Sequence, residues 1–372
     1  MKKKLAYVVA IPLTYNAFLK VHAQDLADDY DITVIANFGA EAAAPQLEAA
    51  RALHVPIARD IAPGADLRAL WQLWRIMRRE RFDIVHTVIP KAGLLGMLAA
   101  TLGGGARRVH HATGQVWATR TGAARTLLKT LDKTTMALAH RVLADSRSQV
   151  DFLRSEGFRS QPQVLEEGSI AGVDSEFFHP SPEARHRMRA RHGIPEAAIV
   201  VSYLGRMNRD KGVPDLVEAF IRANLGPDAV LWLMGRDEEG LVPGIEARAR
   251  ETGARIGILG PTMEHADYLA ASDIFSLPSY REGFGMTALE AAACGLPVVA
   301  SKIPGLVDAV AEGETALTHP PGDVAALAAC LERLAQEPEL RARLGQAGRT
   351  RAVEKFSRPR ITEAMRAFYR DL

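Results

Sequence analysis

Short apolar runs alternate with stretches of helical periodicity along nearly the whole chain. Continuous apolar segments at residues 5–12, 32–37, 84–89, 109–113 and 141–145 read as buried strands, and the stretches between them read as helices. A Pro- and charge-rich stretch over 178–195 interrupts this alternation, which resumes with strands at 199–205, 230–235, 256–260, 274–278 and 297–301. From residue 324 onward the pattern is helical only and ends in a helix over 354–372. Repetition of strand, helix and strand predicts parallel sheets covered by helices, hence an α/β chain of two doubly wound, Rossmann-like domains. The expected divisions are an N-terminal domain over 1–177, a linker over 178–197, a second domain over 198–352 and a C-terminal helix over 353–372 that packs back across the domains. Such sheets bind ligands beyond the carboxyl ends of their strands, so functional residues are expected just after strands, in a cleft between the two domains.

Composition agrees with two ordinary cores. The chain has 372 residues, 48% hydrophobic and 24% charged, which argues against disorder and against fibrous repeats. Its two cysteines, Cys294 and Cys330, suit neither a disulfide scaffold nor a zinc site and fit a reducing compartment, so a cytoplasmic location is expected. The apolar run after Lys2-Lys3-Lys4 is short and lacks a cleavage site, so it reads as the first strand. No stretch approaches the ~20 apolar residues that cross a bilayer, which leaves peripheral contact as the expected form of any membrane association.

Charge is divided unevenly. Net charge is +8 over residues 1–165 and −6 over the remainder, and Arg68 to Lys129 holds 11 basic residues against 2 acidic ones. Trp71 and Trp74 lie beside Arg75, Arg78 and Arg79 on an expected helix. A basic face with interfacial aromatics suits anionic lipid headgroups or a diphosphate-linked acceptor, and no nucleic-acid partner is expected. The alternative is a solvated helix face whose tryptophans point into the core.

The densest chemistry lies in residues 278–291, Pro-Ser-Tyr-Arg-Glu-Gly-Phe-Gly-Met-Thr-Ala-Leu-Glu-Ala, an expected strand end, glycine-bearing loop and helix start. Gly283, Phe284, Gly285, Met286 and Thr287 form the turn, where backbone N–H groups and the helix dipole can hold a diphosphate. Glu282 can reach the group beyond the phosphates. Glu290, two turns on if the segment is helical, can accept hydrogen bonds from a ribose diol. A second cluster follows an earlier strand, where Gly205 leads into Arg206-Met-Asn-Arg-Asp-Lys211. Arg206 and Lys211 supply two fixed cations that can neutralise a leaving diphosphate, the role a divalent metal otherwise fills. The alternative for each cluster is an ordinary loop. Asp29-Tyr30-Asp31 matches the pattern of metal-dependent sugar transfer but falls in the turn before a strand, so neither metal nor other cofactor is expected. A nicotinamide dehydrogenase is disfavoured because no Gly-x-Gly-x-x-Gly follows the first strand.

Taken together, these residues resemble the glycosyltransferases of family 4, with the GT-B fold, over nearly the whole chain. The resemblance equates Glu282 and Glu290 with that family's Glu-x7-Glu element, implying contacts to the transferred sugar and the ribose, and gives Arg206 and Lys211 the diphosphate. Residues 91–96, 113–120 and 167–174 look like a narrower bacterial group that builds capsular polysaccharide, O-antigen and lipid-linked oligosaccharide. This implies an undecaprenyl-diphosphate-linked acceptor, a nucleotide-sugar donor with uracil as its base, and retention of configuration. It also places Asn16, Lys91, His111, Thr113, Gly114 and Gln115 on the acceptor side. Two departures stand out. Pro12-Leu-Thr-Tyr-Asn16 replaces the usual Gly-Gly loop, and Thr113-Gly114 replaces the usual His-Gly, a form the narrower group shares. Competing readings are a sugar-nucleotide epimerase or hydrolase of the same fold, and a non-catalytic membrane-docking subunit.

Overall fold

The computed structural model describes residues 2–39, 47–58 and 62–372. The first part of the chain runs β1 (Lys3–Val8), α1 (Pro12–Phe18), α2 (Lys20–Leu26), β2 (Tyr30–Ala36), β3 (Arg51–His54), α3 (Pro63–Glu80), β4 (Ile84–Val88), α4 (Pro90–Gly103), β5 (Arg107–Ala112), α5 (Gly122–Leu138), β6 (Arg141–Ala144) and α6 (Arg147–Ser155). It continues with α7 (Pro182–Arg191), β7 (Val200–Leu204), α8 (Val213–Arg222), β8 (Val230–Met234), α9 (Val242–Thr252), β9 (Arg255–Gly260), α10 (His265–Ala270), β10 (Ile274–Leu277) and α11 (Met286–Ala293). The last elements are β11 (Val298–Ser301), α12 (Leu306–Ala309), β12 (Ala316–His319), α13 (Val324–Gln336), α14 (Pro338–Phe356) and α15 (Arg358–Arg370).

The chain divides into two compact units, Met1–Ala171 with Arg358–Leu372, and Gly172–Ser357. Each unit holds a six-stranded sheet, ordered β3-β2-β1-β4-β5-β6 in the first and β12-β11-β10-β7-β8-β9 in the second. The paired strands are parallel throughout. Both orders reverse direction once, between β1 and β4 and between β7 and β10. At such a reversal the connections leave to opposite sides and open a crevice at the carboxyl ends of the strands. All ten expected strands are present, and β3 and β12 are additional.

In the first unit the interior strands are largely buried on both faces, as in a doubly covered sheet, with His86, Thr87, His110 and His111 among the buried side chains. α3 turns Ala69, Leu73 and Met77 inward, one residue per turn along a single stripe. α4 is apolar all round and lies close against the sheet. A Cβ on Gly93 would stand 2.5 Å from the His110 ring and one on Gly96 2.7 Å from Thr87, so the glycines of the 91–96 segment permit close packing of helix on sheet. α15 returns to this unit, where Ile361, Met365 and Tyr369 are fully buried.

The second unit differs in extent from the expected division. The segment expected as a linker carries α7, and Phe178, Met188 and Ile194 belong to the core of this unit. The helix expected over 354–372 is two helices: α14 ends at Phe356, and α15 begins at Arg358 with Pro359 in its first turn. Within the second unit Val173 N–H donates to Phe356 O at 2.7 Å. Pro12 to Asn16, expected as a loop, is the start of α1, because Pro12 is pre-shaped for a first helical turn and Tyr15 is buried. Asp29 precedes β2 and is paired with Arg366 of α15 at 3.1 Å, while Tyr30 and Asp31 belong to the strand.

Candidate active site

Two loops meet in the second unit at the reversal of its strand order. One leaves β7 and the other leaves β10, neighbouring strands in the sheet. Gly205 N–H donates to Met234 O of β8, which holds the end of β7 before Arg206. Asn208 then caps a single 3-10 turn at Arg209–Lys211 by accepting from Lys211 N at 3.0 Å. The turn ends at Gly212, whose φ of 67° is left-handed and whose added Cβ would lie 2.1 Å from Pro278 O. Only glycine lets the two loops approach so closely. Across the junction Tyr280 N–H donates to Asp210 O at 2.8 Å, and Arg281 lies 3.4 Å from Asp210.

This junction brings together the lysine and the first glutamate. Lys211 Nζ lies 2.5 Å from Glu282 Oε1, and both side chains are largely buried, with 16% and 10% exposed. Ser279 Oγ donates to the same carboxylate oxygen at 2.8 Å. Arg206 lies at the rim, 46% exposed, and pairs with Glu238 at 2.9 Å. Glu238 follows β8 and also accepts from Asn208 Nδ2 at 3.0 Å. Asn208, Glu238 and Ser279 were not among the expected residues. Glu238, in Gly-Arg-Asp-Glu-Glu-Gly at 235–240, follows a strand and so obeys the rule that found the others.

Gly283 and Phe284 complete the loop, with Phe284 buried. Gly285 is the N-cap of α11 at φ 84°, and this helix start has no side-chain cap. Met286 and Thr287 open the helix, so its positive dipole end points out of the same loop that carries Glu282. The stretch from Glu282 to Gly285 is not helical. The eight-residue spacing to Glu290 therefore spans a loop and about one turn of α11, rather than one continuous helix, and Glu290 sits half-buried.

The expected acceptor-side residues belong to the first unit and follow β1, β4 and β5, which are neighbours in its sheet. Asn16 is exposed on α1. Lys91, at the start of α4, is paired with Asp66 of α3 at 2.7 Å. Thr113 and Gly114 begin the loop after β5, and the buried Gln115 carbonyl accepts from Gln149 at 3.5 Å. His111 is buried on β5 itself with Nε2 2.9 Å from Asp145 Oδ1, in an orientation outside hydrogen-bond geometry. Its ring stacks on His86, with centroids 5.8 Å apart. Lys91 and His111 thus have separate partners within the unit. Of the two expected tryptophans, Trp71 is 51% exposed while Trp74 packs partly on the core.

Among the described residues no group of three or more His, Cys, Asp and Glu is placed to hold a metal ion. No helix among them is long and apolar enough to cross a membrane.

Comparison with known proteins gives the arrangement its context. The family described as Glycosyl transferases group 1 matches residues 184–351, and Glycosyltransferase Family 4 matches 18–168. The capsular polysaccharide biosynthesis glycosyltransferase CapM of Staphylococcus aureus is 27% identical over 344 residues, 91% of this chain and 89% of its own. The UDP-Gal:alpha-D-GlcNAc-diphosphoundecaprenol alpha-1,3-galactosyltransferase of Escherichia coli is 27% identical over 318 residues, 82% of this chain and 80% of its own. Among solved structures, Anabaena HepE in complex with UDP and glucose superposes with a TM-score of 0.83 at 19% identity, covering 100% of both chains. With matches to both halves and relatives aligned over most of its length, the chain belongs to glycosyltransferase family 4 and is a GT-B glycosyltransferase with relatives in bacterial polysaccharide and lipid-linked saccharide synthesis.

Proposed function

We propose that the chain transfers a sugar, with retention of configuration, from a UDP-sugar held by the second unit to an undecaprenyl-diphosphate-linked saccharide received by the first. The observation that carries this reading is the buried Lys211–Glu282 pair, with Arg206 on the same loop as Lys211, at the reversal of the second sheet. A nucleoside diphosphate leaving group gains negative charge as the bond from its β-phosphate oxygen to the sugar C1 breaks. Arg206 and Lys211 neutralise that charge, and fixed cations at such a site need no reorganisation during the reaction. The acceptor hydroxyl oxygen bonds to C1 on the face the phosphate leaves, and its proton passes to the departing phosphate oxygen. Glu282 holds sugar hydroxyls, Glu290 the ribose diol, and the α11 N-terminus the phosphates. The two cations take the charge-neutralising role, so the proposed reaction uses no metal ion.

Support for the donor and acceptor comes from the UDP-galactose and diphosphoundecaprenol-linked substrates for which the galactosyltransferase relative is named, and from the UDP in the HepE complex. We place the reaction at the cytoplasmic face of a membrane, where a lipid-linked acceptor and the basic first unit meet an anionic surface.

The test is thermal stabilisation of the wild type and of Glu290→Ala by UDP, GDP, ADP and their common sugar conjugates. A ligand at one hundred times its Kd stabilises the native state by about 2.7 kcal/mol. Selective stabilisation by UDP compounds, lost in the variant, supports the donor assignment. Stabilisation by another nucleotide overturns the base, and an unchanged response of the variant overturns the ribose role of Glu290.

A further inference from the structure

The outer face of α3 carries a stripe of exposed apolar and cationic side chains. Leu67, Trp71, Arg75 and Arg78 follow one another at helical spacing on the side opposite the buried Ala69, Leu73 and Met77. Leu67 is 68% and Trp71 51% exposed, both large apolar side chains on one line. The Arg75 guanidinium lies 4.6 Å from the centroid of the Trp71 ring, and that of Arg78 5.4 Å from the Trp74 ring. These contacts hold the cations over the indoles. A concavity of about 890 Å³ runs beside them, lined by Trp71, Trp74, Arg75, Arg78, His54 and Pro56.

Local carboxylates do not offset this charge. The two acidic residues of α3 are engaged elsewhere: Asp66 with Lys91 at 2.7 Å, and Glu80 with Arg51 at 2.6 Å. Among the described residues neither Arg75 nor Arg78 stands in an ion pair, and Arg79 reaches only Glu80, at 3.9 Å. The stripe is therefore both cationic and amphipathic. Tryptophan, with an apolar body and a polar edge, partitions to the boundary between headgroups and acyl chains, and arginine stems let their charge remain among the phosphates.

We infer that this face docks on an anionic phospholipid bilayer through Leu67, Trp71, Arg75, Arg78 and Arg79. Two exposed large apolar side chains, Leu67 and Trp71, share a helix with unpaired cations one and two turns further on, which matches a lipid interface better than a purely phosphate-lined polymer. The Asp66–Lys91 pair ties the start of α3 to the start of α4, where Lys91 follows β4. Docking through α3 thus fixes the acceptor-side edge of the first sheet relative to the lipid. The inference deepens the membrane part of the proposed function and rests on it, while the donor chemistry of the second unit is independent of it.

The experiment is co-sedimentation of the full chain with vesicles of phosphatidylcholine, with and without phosphatidylglycerol. It compares the wild type with the triple variant Arg75→Ser, Arg78→Ser, Arg79→Ser and with Trp71→Ser. Stabilisation by UDP is measured in parallel to verify folding and the donor site. The expected result is salt-sensitive binding of the wild type to anionic vesicles only, weakened about 100-fold in the triple variant at one surface charge per arginine, with the UDP response unchanged. Trp71→Ser should also weaken binding. Equal binding by the wild type and triple variant would overturn the assignment to α3 and leave the membrane reading standing. No binding by a wild type that still responds to UDP would overturn the membrane reading itself, with the donor site intact.

Discussion

Lys211 and Glu282 lie 71 positions apart in the chain and within hydrogen-bond distance in space. Their pairing gives the two cations of the site different energetics. Arg206 is nearly half exposed, so its bond to Glu238 is screened by water and contributes little to stability. Lys211 is largely buried against Glu282, and its removal leaves a carboxylate with Ser279 as its one remaining side-chain donor among the described residues. Arg206→Ala should therefore lower turnover by about 10²-fold with almost no change in Tm. Lys211→Ala should lower turnover as much and also destabilise the chain by about 1–3 kcal/mol. Steady-state kinetics with a UDP-sugar, paired with thermal unfolding, checks both. Turnover unchanged in either variant would remove that residue from the proposed chemistry. Glu238 sets where Arg206 rests, and its acidic post-strand loop was visible in the chain, but its partner was not.

At the scale of elements, α11 shows how a motif depends on one backbone position. Gly285 adopts a left-handed φ, and an added Cβ would stand 2.3 Å from Leu306 Cδ2. Gly285→Ala should cost about 1–3 kcal/mol through backbone strain and displacement of Leu306. Because it tilts the start of α11, it should also weaken UDP binding. Denaturant unfolding and nucleotide titration of the variant measure the two effects, and wild-type values in both would refute the positioning role. The alternation of apolar runs made ten strands legible, since a strand covered on both faces is mostly apolar along its length. β3 and β12 were missed because of a weak apolar signal, whereas β6, equally short and also at a sheet edge, carries Val142, Leu143 and Ala144, all buried. Arg-Ala-Leu-His has no buried residue, and Ala-Leu-Thr-His has only one large apolar side chain.

Over the whole molecule, stability should depend on pH through the first unit. Burial pushes His22 down to about 4 and His110 to about 3, so both are neutral in the folded chain. His22 Nε2 donates to Ile170 O at 2.7 Å, which leaves Nδ1 to accept from Thr362 of α15 at 2.9 Å. Protonation would abolish that acceptor. Since the folded values lie below the unfolded value of about 6.5, these histidines contribute full stability above pH 6.5 and progressively less as pH falls toward 4. Each should cost roughly 2 kcal/mol at pH 5. Asp132, raised to about 6 by burial, acts in the opposite direction over the same range and offsets part of the loss. The net expectation is a loss of a few kcal/mol in the first unit between pH 7.5 and pH 5. Three of the four tryptophans belong to this unit, so denaturant unfolding followed by indole fluorescence reports it. A transition midpoint that stays level, or rises, on acidification would contradict the assignment.

The sequence by itself determined the α/β class, the two-sheet organisation, the two post-strand clusters and the family resemblance. These follow from local rules: burial on both faces demands apolar strands, and a phosphate-holding turn demands glycine and a helix start. Only the tertiary structure decided the rest. It returned α15 to the first unit, drew α7 into the second, buried His111 beside Asp145, left Trp71 outside while Trp74 packed inward, and closed Lys211 onto Glu282. Each of these depends on which distant segments become neighbours. Parallel sheets make that choice through crossovers, so residues far apart in sequence meet at adjacent strand ends, and no local pattern records which partner will be there.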